Sequence, residues 1–196
     1  MKPFYDEYTE IVFNGIHSMQ ATTYNGNALE PQVAIRLWCE CAKKTRDELH
    51  GLTFFCGNGA SASMAEHMSH DWFQNAKMNT YTCSEVSHIT AISNDLSYED
   101  VFAYRIERIL SEKDILVTIS SSGNSPNIVK ALEAGRANGA YCITLSGMKP
   151  DNRSRALGDL NFYVPLDYYG LVESAHAVIL HAALDCFLET YMGGKH

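Results

Sequence analysis

A chain of 196 residues, 46% of them hydrophobic, holds one α/β domain with a substantial core and is short for two. Its formal charge of −8, with no cluster of lysine or arginine, argues against nucleic acid or an anionic membrane as the main partner, so any bound anion must be held by backbone and hydroxyl groups. No apolar run approaches the roughly 20 residues of a bilayer span, the first residues lack the apolar core of a signal peptide, and six scattered cysteines without CxxC spacing suit reduced thiols in a cytosol.

Residues 4–24 and 30–49 read as two helices separated by the turn signal Asn25-Gly26-Asn27. The first carries Phe4, Tyr5, Tyr8, Ile11, Val12, Phe13 and Ile16 on more than one face, which predicts packing against another subunit. Residues 53–56 form the first predicted strand. The loop Gly57-Asn58-Gly59-Ala60-Ser61 and a helix to Gln74 follow. On that helix His67 and Asp71 are four apart and project from one face, about 6 Å from each other, able to share a metal or act as an acid–base pair. A surface hydrogen bond is the plain alternative. Residues 80–83 read as a second strand, Ser84 to Ser93 as a short helical piece broken by Asn94-Asp95, and residues 98–110 as another helix.

Ile115 to Ile119 is a β-branched, apolar run that enters Ser120-Ser121-Ser122-Gly123-Asn124-Ser125, and Pro126 opens a helix with apolar positions Ile128, Val129, Ala131, Leu132 and Ala134. Free N–H groups of the first helical turn and four serine hydroxyls suit a phosphate; an ordinary serine cap is the bland alternative. The loop has no lysine and no Walker spacing, so it is not a nucleotide P-loop. Residues 141–145 and 161–164 complete five strands alternating with helices, a parallel sheet covered on both faces. Two small polar loops at the carboxyl ends of such strands are what a ligand crevice requires. The last helix, residues 171–192, sets Glu173, His176 and His181 in an apolar context where charges need partners. Spacing alone pairs Glu173 with His176, and a satisfied core histidine is the alternative for His176.

Four segments, CGNGASASMAEH (Cys56 to His67), SEVSHITAISND (Ser84 to Asp95), ISSSGNSPNIVKALEAGRANG (Ile119 to Gly139) and VESAHAVILHAALD (Val172 to Asp185), together resemble the sugar isomerase (SIS) family, and within it the phosphoheptose isomerases. The resemblance implies a three-layer α-β-α sandwich with a flavodoxin-like five-stranded parallel sheet. It implies a single SIS domain over 1–196, in which 1–50 supplies helices for oligomer packing and 51–196 the phosphosugar-binding core. It further implies a cytoplasmic homotetramer with sites between subunits, and an aldose–ketose isomerase that converts sedoheptulose 7-phosphate to D-glycero-D-manno-heptose 7-phosphate through an enediol.

Carried over by position, the resemblance places the phosphate on Ser120, Ser121, Ser122 and Ser125. It places the sugar on Asn58, Gly59, Ala60, Ser61, Asn94, Asp95 and Glu173, zinc on His67, Asp71, Glu173 and His181, and the acid–base pair on Asp71 and His181. Asp71 stands where the family has glutamate and Glu173 where it has glutamine, and the segment between Asp71 and Ser84 is shorter and lacks the family's arginine/proline-rich loop. The family also contains non-catalytic sugar-phosphate-binding regulators, such as the relative that associates with a replication initiator, and that is the alternative function.

Overall fold

A computed structural model of the chain describes residues 3–194; residues 1, 2, 195 and 196 of the expected 1–196 domain lie outside them. The strand-formers of Ile115 to Ser120 build β5, an interior strand of the sheet buried along its whole length. Around it lie β3 (Leu52–Gly57), β4 (Asn79–Tyr81), β6 (Tyr141–Gly147) and β7 (Leu160–Val164). These five run parallel in the order β4-β3-β5-β6-β7, so the strand order reverses between β3 and β5. That is the flavodoxin-like arrangement, and a ligand belongs at the carboxyl ends of β3 and β5.

The sheet has seven strands rather than five. Residues 4–24 do not form one helix: α1 (Phe4–His17) stops, and β1 (Gln20–Thr23) and β2 (Ala28–Leu29) make a hairpin laid antiparallel on β7. The β-branched Thr22-Thr23 and the Asn25-Gly26 turn account for it: Gly26 takes φ +77°, the N–H of Gly26 donates to Thr23 O at 2.9 Å, and Thr23 N–H donates to Asn27 O at 3.0 Å.

Side chains alternate along the strands to feed two cores. On one face Phe55, Ile115, Val117, Ile119, Ile143, Leu145 and Phe162 meet α2 (Pro31–Lys44), α3 (Ala60–Gln74) and α7 (Tyr169–Tyr191). Trp38 stacks on Trp72 there, with centroids 6.3 Å apart, and Phe187 tilts against Trp72 at 5.1 Å. On the other face Phe54, Cys56, Leu116 and Cys142 meet α4 (Val86–Asp95), α5 (Ala103–Ile109) and α6 (Pro126–Ala137). The helix expected over 98–110 is interrupted: Ser97 caps a short turn at Tyr98–Asp100 by accepting from Glu99 N–H at 3.2 Å, and α5 begins only afterwards.

The 23 residues of α7 are long and apolar enough, by length and composition, to cross a bilayer, contrary to the expectation from the sequence. Leu171, Val172, Ala175, Ile179, Leu180, Ala183, Leu184 and Phe187 are instead buried in the core that α7 shares with α2. Burial also pushes the thiols up, Cys56 well above its ordinary value and Cys83 and Cys142 to about 12, and all six cysteines are free.

Candidate active site

The loop Ser120 to Ser125 leaves β5 and turns through Gly123 at φ +62° into α6, whose first residue is Pro126. Ser125 sits at the cap position, yet its hydroxyl makes no capping bond. The Ser121 hydroxyl is buried without a hydrogen-bond partner. An ordinary serine cap explains neither, whereas an anion would engage both at the positive end of the helix dipole. The loop is braced from behind: Ser154 donates both its N–H and its hydroxyl to Gly123 O at 2.9 Å, and Arg153 N–H donates to Asn124 Oδ1 at 2.9 Å.

Ser120, Ser121, Ser122 and Ser125 line a cavity of about 70 Å³ with Asn58, Ser61, Tyr169 and Glu173. The volume suits one small anion. A second cavity, about 230 Å³, adjoins it through Asn58 and is lined by Gly59, Glu66, Ser84 and Tyr98 among others. Ala60 opens α3 and lines neither cavity. Asn94 and Asp95 also line neither: they are exposed at the end of α4, where Asn94 Nδ2 donates to Asp95 Oδ1 at 2.9 Å.

Because α3 buries Ser61, Ala65, Met68 and Trp72, His67 and Asp71 emerge on a flank of that helix, and α7 brings His181 to meet them. His67 Nε2 lies 3.3 Å from Asp71 Oδ2, and the His67 and His181 rings are 5.4 Å apart. One ligand atom from each of the three lies within 4.8 Å of the others. Two imidazoles and a carboxylate are the donors of a catalytic zinc site with one position left open, so the residues fit that ion. Glu173, expected as the fourth ligand, is not among them and lines the serine cavity. The physical reason is helical rise: eight residues separate it from His181, roughly 12 Å along α7 at 1.5 Å per residue.

Both α3 and α7 begin beside the serine cavity and pack on each other. Ser61 lies at the cavity and His67 six residues on, roughly 9 Å by the same rise. The serine cavity therefore lies at the start of this pair of helices, and the His67, Asp71 and His181 cluster about halfway along them.

His176 is a core residue. It is fully buried, its Nε2 lies 3.2 Å from Ser146 O, and burial pushes the imidazole down to about 4. Its folded value is below that of the unfolded chain, near 6.5, so its share of stability is complete above about pH 6.5 and is lost as pH falls toward 4. Between pH 7.5 and 5 that loss is expected to be about 2 kcal/mol. Urea midpoints at several pH values, wild type against His176→Gln, measure it; identical pH profiles would contradict it.

Tyr169, Tyr98 and Glu66 line the cavities without having been singled out in the sequence. Tertiary structure brings Tyr98 and Tyr169 there, whereas Glu66 follows Ala62, which lines the same cavity, by one turn of α3.

The chain is similar to known proteins over most of its length. The family model described as SIS domain matches residues 32–147. The phosphoheptose isomerase of Helicobacter pylori (strain P12) is 34% identical over 155 residues, 76% of this chain and 80% of the relative. That of Yersinia enterocolitica is 36% identical over 137 residues, 67% and 70% of the two chains. The solved phosphoheptose isomerase of Neisseria gonorrhoeae superposes with a TM-score of 0.77 at 25% identity, covering 93% of this chain and 94% of that one.

Proposed function

This chain belongs to the SIS domain family, and from that premise we propose that it is a phosphoheptose isomerase, interconverting sedoheptulose 7-phosphate and D-glycero-D-manno-heptose 7-phosphate. The observation that carries the reading is the separation of the serine cavity from the His67, Asp71 and His181 cluster along α3 and α7. Eight bonds join phosphorus to C1 in a seven-carbon 7-phosphate, roughly 9–10 Å at the reach per bond of an extended chain. A phosphate held by Ser120, Ser121, Ser122 and Ser125 thus leaves C1 and C2 within reach of the cluster.

Binding energy spent on the phosphate orients the distant carbonyl end. Asn58, Gly59, Ser61 and Glu173 border the path of the carbon chain and offer partners for its hydroxyls. From the ketose, the Asp71 carboxylate takes a proton from C1; the C–H electrons form the C1=C2 bond, and the C2 carbonyl oxygen takes a proton, giving the enediol. Return of the proton to C2, with loss of the O1 proton, gives the aldose. His181 serves the two oxygen atoms in these transfers. His67, Asp71 and His181 would hold a zinc ion, which when bound supplies positive charge for the oxygen that becomes negative. A non-catalytic regulator has no use for this cluster, which favours the enzyme.

We also assign the chain to the cytoplasm as a homotetramer, an assembly that the exposed Phe4, Tyr5 and Phe13 of α1 support and that its mass in solution tests. The function itself is tested by NMR of sedoheptulose 7-phosphate with the enzyme in deuterated water. The expected result is deuterium at C1 of the ketose and C2 of the aldose. A substrate recovered with all its carbon-bound protons would refute the assignment.

A further inference from the structure

The two loops at the reversal of strand order are joined by a side chain outside every residue assigned above. Asn127, the second residue of α6, is 2% exposed. Its carboxamide meets that of Asn58 in a reciprocal pair: Asn58 Nδ2 donates to Asn127 Oδ1 and Asn127 Nδ2 donates to Asn58 Oδ1, each at 2.9 Å. Tyr98 donates its hydroxyl to the same Asn58 oxygen at 3.0 Å. Both lone pairs of that oxygen are engaged, one N–H of Asn58 is used, and one N–H remains. Asn58 stands on the wall between the two cavities, so this remaining donor is what it can present to a ligand.

We propose that Asn127 is a positioning residue: it fixes the Asn58 carboxamide so that the ligand oxygen next to the phosphate group meets a donor. The inference rests on the phosphosugar isomerase reading, in which the carbon chain passes Asn58 on leaving the serine cavity. Asn127 itself needs no contact with substrate. Without it the Asn58 carboxamide keeps only its contact with the Tyr98 hydroxyl, which can donate or accept, so its orientation is no longer fixed.

The test compares wild type, Asn127→Ala and Asn127→Asp with sedoheptulose 7-phosphate, and uses inhibition by inorganic phosphate to read the serine loop separately. For Asn127→Ala, kcat/KM is expected to fall about 10- to 100-fold, the range for loss of a buried hydrogen-bond partner, while inhibition by phosphate changes less than about twofold. For Asn127→Asp, a protonated carboxyl reproduces the pair, its O–H donating to Asn58 Oδ1 and its C=O accepting from Asn58 Nδ2. A carboxylate instead sets oxygen against oxygen. Activity relative to wild type is therefore expected to rise as pH falls through the pKa of the introduced group, a profile that a purely structural role does not produce and that stays readable if the alanine variant fails to fold. An Asn127→Ala enzyme within twofold of wild type, or an Asn127→Asp profile parallel to wild type, would overturn the proposal while leaving the isomerase reading in place. A wild type without turnover would overturn both.

Discussion

Replacing Asp71 by Asn, or His181 by Gln, is expected to lower kcat about 10³-fold, the scale of a lost general acid or base, with fold and phosphate affinity intact. Asn has the shape of Asp, but it cannot take up a proton at C1. The Asp71 side chain is 21% exposed and His181 is exposed, so neither substitution opens a hole in the core. The reading that makes these two groups partners in one proton relay predicts that the double variant loses little more than either single one, because the second loss removes a function already gone. Initial rates at saturating ketose phosphate, near-ultraviolet circular dichroism and calorimetric titration with inorganic phosphate separate chemistry from folding and binding. Turnover retained in both single variants would remove Asp71 and His181 from the mechanism.

The second large effect is expected at Gly123. A Cβ there would stand 2.1 Å from Asn152 Oδ1, and the residue holds φ +62°, where side chains are strained. Asn152 is 2% exposed and cannot swing aside: its Nδ2 donates to Lys149 O at 2.8 Å and Ser146 Oγ at 3.2 Å, and its Oδ1 accepts from Arg155 N–H at 3.1 Å. Gly123→Val therefore combines about 1–2 kcal/mol of backbone strain with about 1–3 kcal/mol for buried hydrogen bonds broken around Asn152. The sum is about 2–5 kcal/mol, or roughly 4–20 °C in melting temperature for a chain of this size. Because the displaced loop is the one that grips phosphate, KM should rise at least about tenfold. Gly59→Ala is the control: Gly59 holds φ +56°, but no atom lies within 4 Å of its added Cβ. In melting temperature it should lose only the strain, and equal losses of stability in the two variants would mean that the Asn152 clamp has no role.

Much of this site could be read along the chain, because its parts are local. The serine loop announces itself by four hydroxyls between a strand and a proline-started helix, and His67 with Asp71 by a spacing of four. What could not be read was set by contacts between distant segments. Asn127 looked like one more polar residue on α6 until the fold placed it against Asn58, 69 residues earlier. Glu173 shows the reverse: the family pattern puts it with the metal ligands, whereas within one chain the pitch of an α-helix keeps it two turns from His181, and it lines the serine cavity. The hairpin at residues 20–29 was missed because four residues are too few to display a period, although Thr-Thr before Asn-Gly was the available signal.

The margins of the sheet have a consequence for how copies of the chain can meet. One flank ends in β2, two residues long, and the other in β4, three residues long. Stubs of that length present too few unpaired amides for a stray strand to zip onto, which guards the β-layer against fibre-like growth. Self-association is thereby channelled to the helical surfaces, where side-chain shape rather than main-chain pairing decides which neighbour fits.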